Sequence, residues 1–176
     1  MKRNILVMLV VLLMFALAVP VFAARMEKET STAEFVDTLV ADCSVYGAGW
    51  DFAVLDDVVY TRMATYWYDN DDVMVKKKFH NFGTDTVYRE GYPEDGVKSA
   101  WHYNAKFDRL TDGQFEEASA HGNQYNIHLP GVGNVIRLAG SEFYVDWPED
   151  GGRGELVRTV GLYAEDYEGL CRYFAD

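Results

Sequence analysis

Apolar and polar residues alternate with a period of two along most of this chain, the spacing of strands with one buried face. The densest run is Val58–Tyr68, rich in Val, Tyr, Thr and Trp, and the alternation resumes over Val73–Phe82. Between them stand Asp69-Asn70-Asp71-Asp72, short polar residues that tolerate the left-handed conformation and bond their own backbone. A two-residue turn at Asn70-Asp71 predicts a hairpin. Its register pairs Tyr68 with Val73, Tyr66 with Val75, Ala64 with Lys77 and Arg62 with Phe79. The opposite face carries Trp67 with Met74, Thr65 with Lys76, Met63 with Lys78 and Thr61 with His80. The first face is the drier one near the turn and is expected to point inward, whereas a slip of one residue would reverse every side chain.

The rest of the chain continues the pattern. Glu34–Val40 begins the ordered part, and Cys43–Tyr46 leads into a kink at Gly47-Ala48-Gly49. Trp50, Phe52 and Val54 alternate up to a turn expected at Asp56-Asp57. Gly83-Thr84-Asp85 interrupts the pattern before a short strand Thr86–Glu90 and the Pro- and Gly-bounded turn Tyr92–Gly96. Ser99–Phe107 places Trp101, Tyr103, Ala105 and Phe107 on one side. After Thr111-Asp112-Gly113, Gln114–Leu129 is a strand pair or one bent strand, interrupted at His121-Gly122-Asn123. Pro130–Asn134 is a hairpin loop, Val135–Leu138 and Ser141–Trp147 are strands meeting at Gly140, and Glu155–Tyr163 is the last strand. The period then changes: Tyr167, Leu170, Cys171 and Phe174 form one helical stripe, which Glu165 or Asp166 can start.

About eight to ten short strands followed by one helix predict an all-β domain. Hairpin-length connections favour an antiparallel up-and-down barrel-like arrangement, with a β-sandwich as the alternative. The two cysteines, Cys43 and Cys171, lie near opposite ends of this domain. They are expected to form a disulfide, and the C-x-x-C spacing of a redox pair is absent.

The N-terminus has a different pattern. Met1-Lys2-Arg3 precedes an apolar run from Ile5 to Val19, and Val21-Phe22-Ala23 is a small-x-small cleavage site. Residues 1–23 are therefore expected to be a signal peptide, residues 24–33 a mobile leader, and residues 34–176 a single domain. An uncleaved anchor is the competing reading, because the run is long enough to span a bilayer. Pro20 and the polar Arg25–Thr32 favour cleavage. No second apolar run follows, so stable membrane insertion after cleavage is not expected. The chain has a formal net charge of −12, which disfavours nucleic acid and anionic membranes as partners.

Cys43, the hairpin run to Phe82 and the terminal Leu170-Cys171-Arg172-Tyr173-Phe174 resemble a group of small exported bacterial proteins of uncharacterised function. Members pair an early cysteine with a late one around an antiparallel β body. The turn Asp69-Asn70-Asp71-Asp72 lacks the Gly of that group's D-x-x-G turn, and its Asn-Pro…Thr-Gly segment is not recognisable here. The resemblance implies no activity.

Chemical motifs are sparse. Asp69 and Asp71 match the first ligand positions of an EF-hand, but Val73 and Met74 occupy positions that need a ligand and a Gly, so a solvated turn is the better reading. His80, His102, His121 and His128 lack local metal-site spacing, although His102 and His128 could meet across strands. No G-x-S-x-G elbow or Gly-rich phosphate loop is present, and no catalytic residue, cofactor or metal is assigned. One feature stands out. Arg62 and Lys77 fall on the face expected inward, with Tyr60 and Tyr66, and Tyr103 is expected nearby. Charges on such a face either pair, lie at a rim or line a cavity. The cavity reading gives a candidate site of Arg62, Lys77, Tyr60, Tyr66 and Tyr103 for a small amphipathic or anionic ligand. The expected function is a secreted binding module. A barrel enzyme of isomerase or cyclase type and an envelope or extracellular interaction protein without a small ligand are the alternatives.

Overall fold

A computed structural model describes residues 25–175. The expected signal segment and its cleavage site lie outside the described residues. Seven antiparallel strands form one sheet in strict sequence order: β1 (Met26–Asp42), β2 (Ala53–Tyr68), β3 (Met74–Arg89), β4 (Val97–Thr111), β5 (Gln114–Leu129), β6 (Gly133–Pro148) and β7 (Glu155–Glu165). A helix, α1 (Tyr167–Ala175), follows. The architecture is all-β and up-and-down, as the connection lengths predict. The sheet is curled but not closed, with β1 and β7 as its edges, so barrel-like and sandwich descriptions both fit.

There are seven long strands where the sequence predicts more and shorter ones. The difference has a local cause. Asp56-Asp57, expected as a turn, and Gly83-Thr84-Asp85, expected as a break between strands, lie inside β2 and β3 and pair with each other's strands: Asp56 opposes Val87 and Val58 opposes Asp85. Their polarity reflects what they face, not a change of direction. Likewise Met26–Ala33, expected as a leader, forms the first half of β1 and pairs with Tyr60–Trp67 of β2.

The β2–β3 hairpin departs from the expected register by two residues. Ala64 opposes Phe79, Arg62 opposes Asn81 and Tyr66 opposes Lys77. The loop is longer than a two-residue turn. Asp69 Oδ1 accepts from the backbone N–H of Asp71 and of Val73 at 2.9 and 3.0 Å, Asp72 adopts φ +60°, and a bulge follows Trp67. A shift of two preserves the side-chain face, so Arg62 and Lys77 still point inward together.

The curl is produced in part by a row of glycines. Gly122 of β5 opposes Gly140 of β6, which opposes Gly161 of β7, all with φ between +133° and +152°. A Cβ on Gly122 would lie 2.6 Å from the His102 carbonyl oxygen and 2.9 Å from Tyr103 Cα. Only glycine lets three strands bend sharply side by side there. β5 and β6 are therefore single bent strands.

The curl brings distant strands together. One end of the concave face is sealed by Val54, Val87, Ile127, Leu129, Val135 and Ile136, with Leu170 and Cys171 of α1 packed on them. Asp166 caps α1, its Oδ1 accepting from Gly169 N–H at 2.8 Å. Cys43 and Cys171 are bonded, tying the 3-10 turn Cys43–Val45 after β1 to the helix. The other end is aromatic, with Phe107, Phe115 and Tyr144 buried and Phe79 and Trp147 packed against them. No helix of the described residues is long and apolar enough to cross a membrane.

Candidate functional site

Between the two apolar ends the concave face turns polar. β2 and β3 supply the change, because their inward positions run Val54, Asp56, Val58, Tyr60, Arg62 on one strand and Lys77, Phe79, Asn81, Gly83, Asp85, Val87 on the other. Asp56, Lys77, Asn81 and Asp85 are buried, at 3, 9, 1 and 1% exposure. Buried polar side chains without full sets of partners mark a site rather than a core.

The first part is a cavity of about 350 Å³ toward the aromatic end. Arg62, Lys77, Asn81, Tyr103, Ser119 and Gln124 supply polar groups, Glu142 adds a carboxylate that accepts from the Tyr144 hydroxyl at 2.6 Å, Phe79, Phe107, Tyr144 and Trp147 supply rings, and Ala105, Ala118 and Ala120 leave the space. Lys77 Nζ lies 4.8 Å from the Phe107 ring centre and 4.6 Å from that of Phe115. Among the described residues it makes neither a hydrogen bond nor a salt bridge. Burial lowers its pKa, Glu149 opposes this and the positive charge of Arg62 adds to it. Arg62 is held by Asn81, whose Oδ1 accepts from Nε at 2.9 Å, and its guanidinium covers the Phe79 ring at 4.7 Å. That leaves Asn81 Nδ2 buried and unpartnered.

The second part, of about 260 Å³, continues toward the sealed end and shares Arg62, Tyr103 and Gln124 with the first. Its walls are Val58, Tyr60, Asp85, Trp101 and Tyr125. Trp101 fits because residue 83 is glycine: a Cβ there would lie 2.7 Å from the indole and 2.6 Å from the Val59 carbonyl oxygen. The indole Nε1 donates to Asp85 Oδ1 at 2.7 Å. Behind it, Tyr125 of β5 donates to Asp56 Oδ2 at 3.1 Å, a bond across the curl from β5 to β2. Burial pushes the Asp85 carboxyl up to about 6 against the Trp101 hydrogen bond. Burial and then the Asp85 charge push Asp56 up to about 7.

Of the residues expected at a site, the fold brings Arg62, Lys77 and Tyr103 together on the larger cavity. Tyr60 lines the smaller one, stacked 5.9 Å from Phe35. Tyr66 shares the inward face but stands at its turn end, edge-on to Phe79, with its hydroxyl 3.4 Å from Glu29 Oε2. Sequence reasoning missed Asp56, Asn81, Asp85, Trp101 and Tyr125 as a group. The usable signal was parity: Asp56 sits between Val54 and Val58, and Asp85 sits two residues before Val87, each on an apolar strand face.

The histidines lie elsewhere. His102 opposes Phe82 and Asn123 rather than meeting His128, whose Nδ1 is 2.7 Å from Asn134 Oδ1. His80 bonds Asn104 at 3.1 Å and His121 bonds Ser141 at 2.8 Å. Among the described residues no three His, Cys, Asp or Glu side chains converge as a metal site would require. Comparison with protein-family models, curated proteins and solved structures finds no match.

Proposed function

We propose that this chain is an exported binding module that holds a small amphipathic molecule by an acidic head. The observation that carries the reading is Lys77, a buried cation among Phe107, Phe115 and Phe79 that forms no salt bridge among the described residues. A charge left so is costly unless something completes it. A carboxylate or phosphate in the cavity would bond Lys77, Arg62 and the free Asn81 Nδ2, while the rings and alanines take an apolar body. The Cys43–Cys171 bond and the leader pattern support an oxidising, extracytoplasmic compartment.

Titration calorimetry with decanoate tests this. Combined Arg62→Ala and Lys77→Met should weaken binding at least about tenfold, or 1.4 kcal/mol. Lys77→Met alone should raise thermal stability, since an apolar isostere replaces a buried cation. Equal decanoate affinity in wild type and double variant would overturn the reading.

A second reading, an isomerase- or cyclase-like enzyme in the same cavity, is favoured by one observation. Asp85 and Asp56 titrate near neutrality beside the smaller chamber, as acid–base groups do. Turnover lost in Asp85→Asn would favour it over the binding module.

A further inference from the structure

The smaller chamber has the opposite chemistry from the Lys77 end. Asp85 receives one neutral donor, Trp101, and Asp56 is met only by neutral ones, the Tyr125 hydroxyl and, more weakly, the Thr86 backbone N–H. The second oxygen of each, Asp85 Oδ2 and Asp56 Oδ1, is buried and unpartnered. Among the described residues no Lys, Arg or His forms a salt bridge with either. Neutral hydrogen bonds of this kind do not offset the burial of either carboxylate. Asp85 faces the chamber, and aromatic side chains surround it: Tyr60 and Trp101 have ring centres 6.2 Å apart, and Trp101 and Tyr103 5.8 Å apart. A carboxylate set among ring faces in an open-mouthed, concave space is suited to an organic ammonium, which the rings attract through their quadrupoles.

We propose that this chamber is a second subsite that takes a primary ammonium group, with Asp85 as its direct partner and Asp56 reinforcing the negative field behind it. An ammonium supplies three donors and the missing positive charge. A hydroxyl supplies one donor and no charge, and would leave the carboxylate uncompensated. The two chambers join through Arg62, Tyr103 and Gln124, so a single amphoteric molecule can place an ammonium at Asp85 and an acidic group at Lys77, with an apolar spacer between. That last step rests on the acidic-head reading, whereas the ammonium subsite stands without it.

Three probes of similar shape separate the possibilities: phenethylamine, 2-phenylethanol and 3-phenylpropanoate, titrated at pH 8 into the folded chain. Phenethylamine should bind at least about tenfold more tightly than 2-phenylethanol. Asp85→Asn should abolish that preference and leave 3-phenylpropanoate affinity unchanged. Asp56→Asn, a second variant should the first fail to fold, should weaken phenethylamine about threefold or more. Equal affinity of wild type for the amine and the alcohol would overturn the subsite, as would unaltered amine binding in the folded Asp85→Asn variant. Amine binding without any binding of 3-phenylpropanoate would remove the acidic-head reading and keep the subsite.

Discussion

The sealed end and the polar middle of the concave face lie on the same strands, two residues apart. Val54 precedes Asp56 on one inward row, Val87 follows Asp85 on the next, and Ile127 follows Tyr125 on β5. Val54, Val87 and Ile127 are fully buried with Leu170 over them. One step along, the same backbone geometry carries two carboxyls with unpartnered oxygens. The fold alone does not demand this, since apolar side chains occupy the equivalent places one layer away. Buried polar groups that the architecture does not need destabilise it, and the proposed subsites would account for their presence.

The contrast can be broken from either side. The largest effect is expected at the sealed end. Replacing Cys43 and Cys171 together by Ser opens a loop with a sequence separation of 128. Chain entropy puts the loss at roughly 4–5 kcal/mol, an upper figure, readable as a lower urea midpoint. Leu170→Ala, which removes a fully buried side chain of α1, should cost about 3 kcal/mol by the same measurement. In both variants the helix plug loosens while the Lys77 cavity, at the far end, keeps its lining.

The polar middle should respond in the opposite sense. Asp56 and Asp85 bind protons more tightly folded than unfolded, because burial raises both. Their contribution to stability is complete below the unfolded carboxylate range, near about 4. It is lost as pH rises through about 6 for Asp85 and about 7 for Asp56. Thermal melts should therefore fall between pH 5 and pH 8. Asp56→Asn should flatten that slope and stabilise the chain at pH 8 by on the order of 1 kcal/mol. A slope unchanged in the variant would place the pH dependence elsewhere.

Much of the fold was legible because alternation is a direct image of a one-sided sheet, and the helical stripe at Tyr167–Phe174 is a direct image of a docked helix. The inward placement of Arg62 and Lys77 was legible for the same reason. The carboxylate chamber was not. Asp56-Asp57 and Gly83-Thr84-Asp85 have the composition of turns, and local composition cannot distinguish an acid that bends the chain from one that faces a cavity. Gly83 was also ambiguous in isolation, since its purpose is to admit Trp101, a residue of another strand. Tyr125 became visible only through the curl that carries β5 over to β2.

The Asp69–Val73 loop has a consequence for how this chain can change over time. What it transmits to the site is a single binary digit, odd or even. Pairing displaced by two residues moves Lys77 from opposite Ala64 to opposite Tyr66 and leaves the cavity chemistry on its own side of the wall. Displacement by one would turn one strand over against the other, bringing Lys78 and His80 beside Arg62 in place of Lys77 and Asn81, and would split the pocket chemistry between the two sides of the wall. Insertions and deletions that reach the ladder here are thus filtered by arithmetic, and those that come in pairs pass.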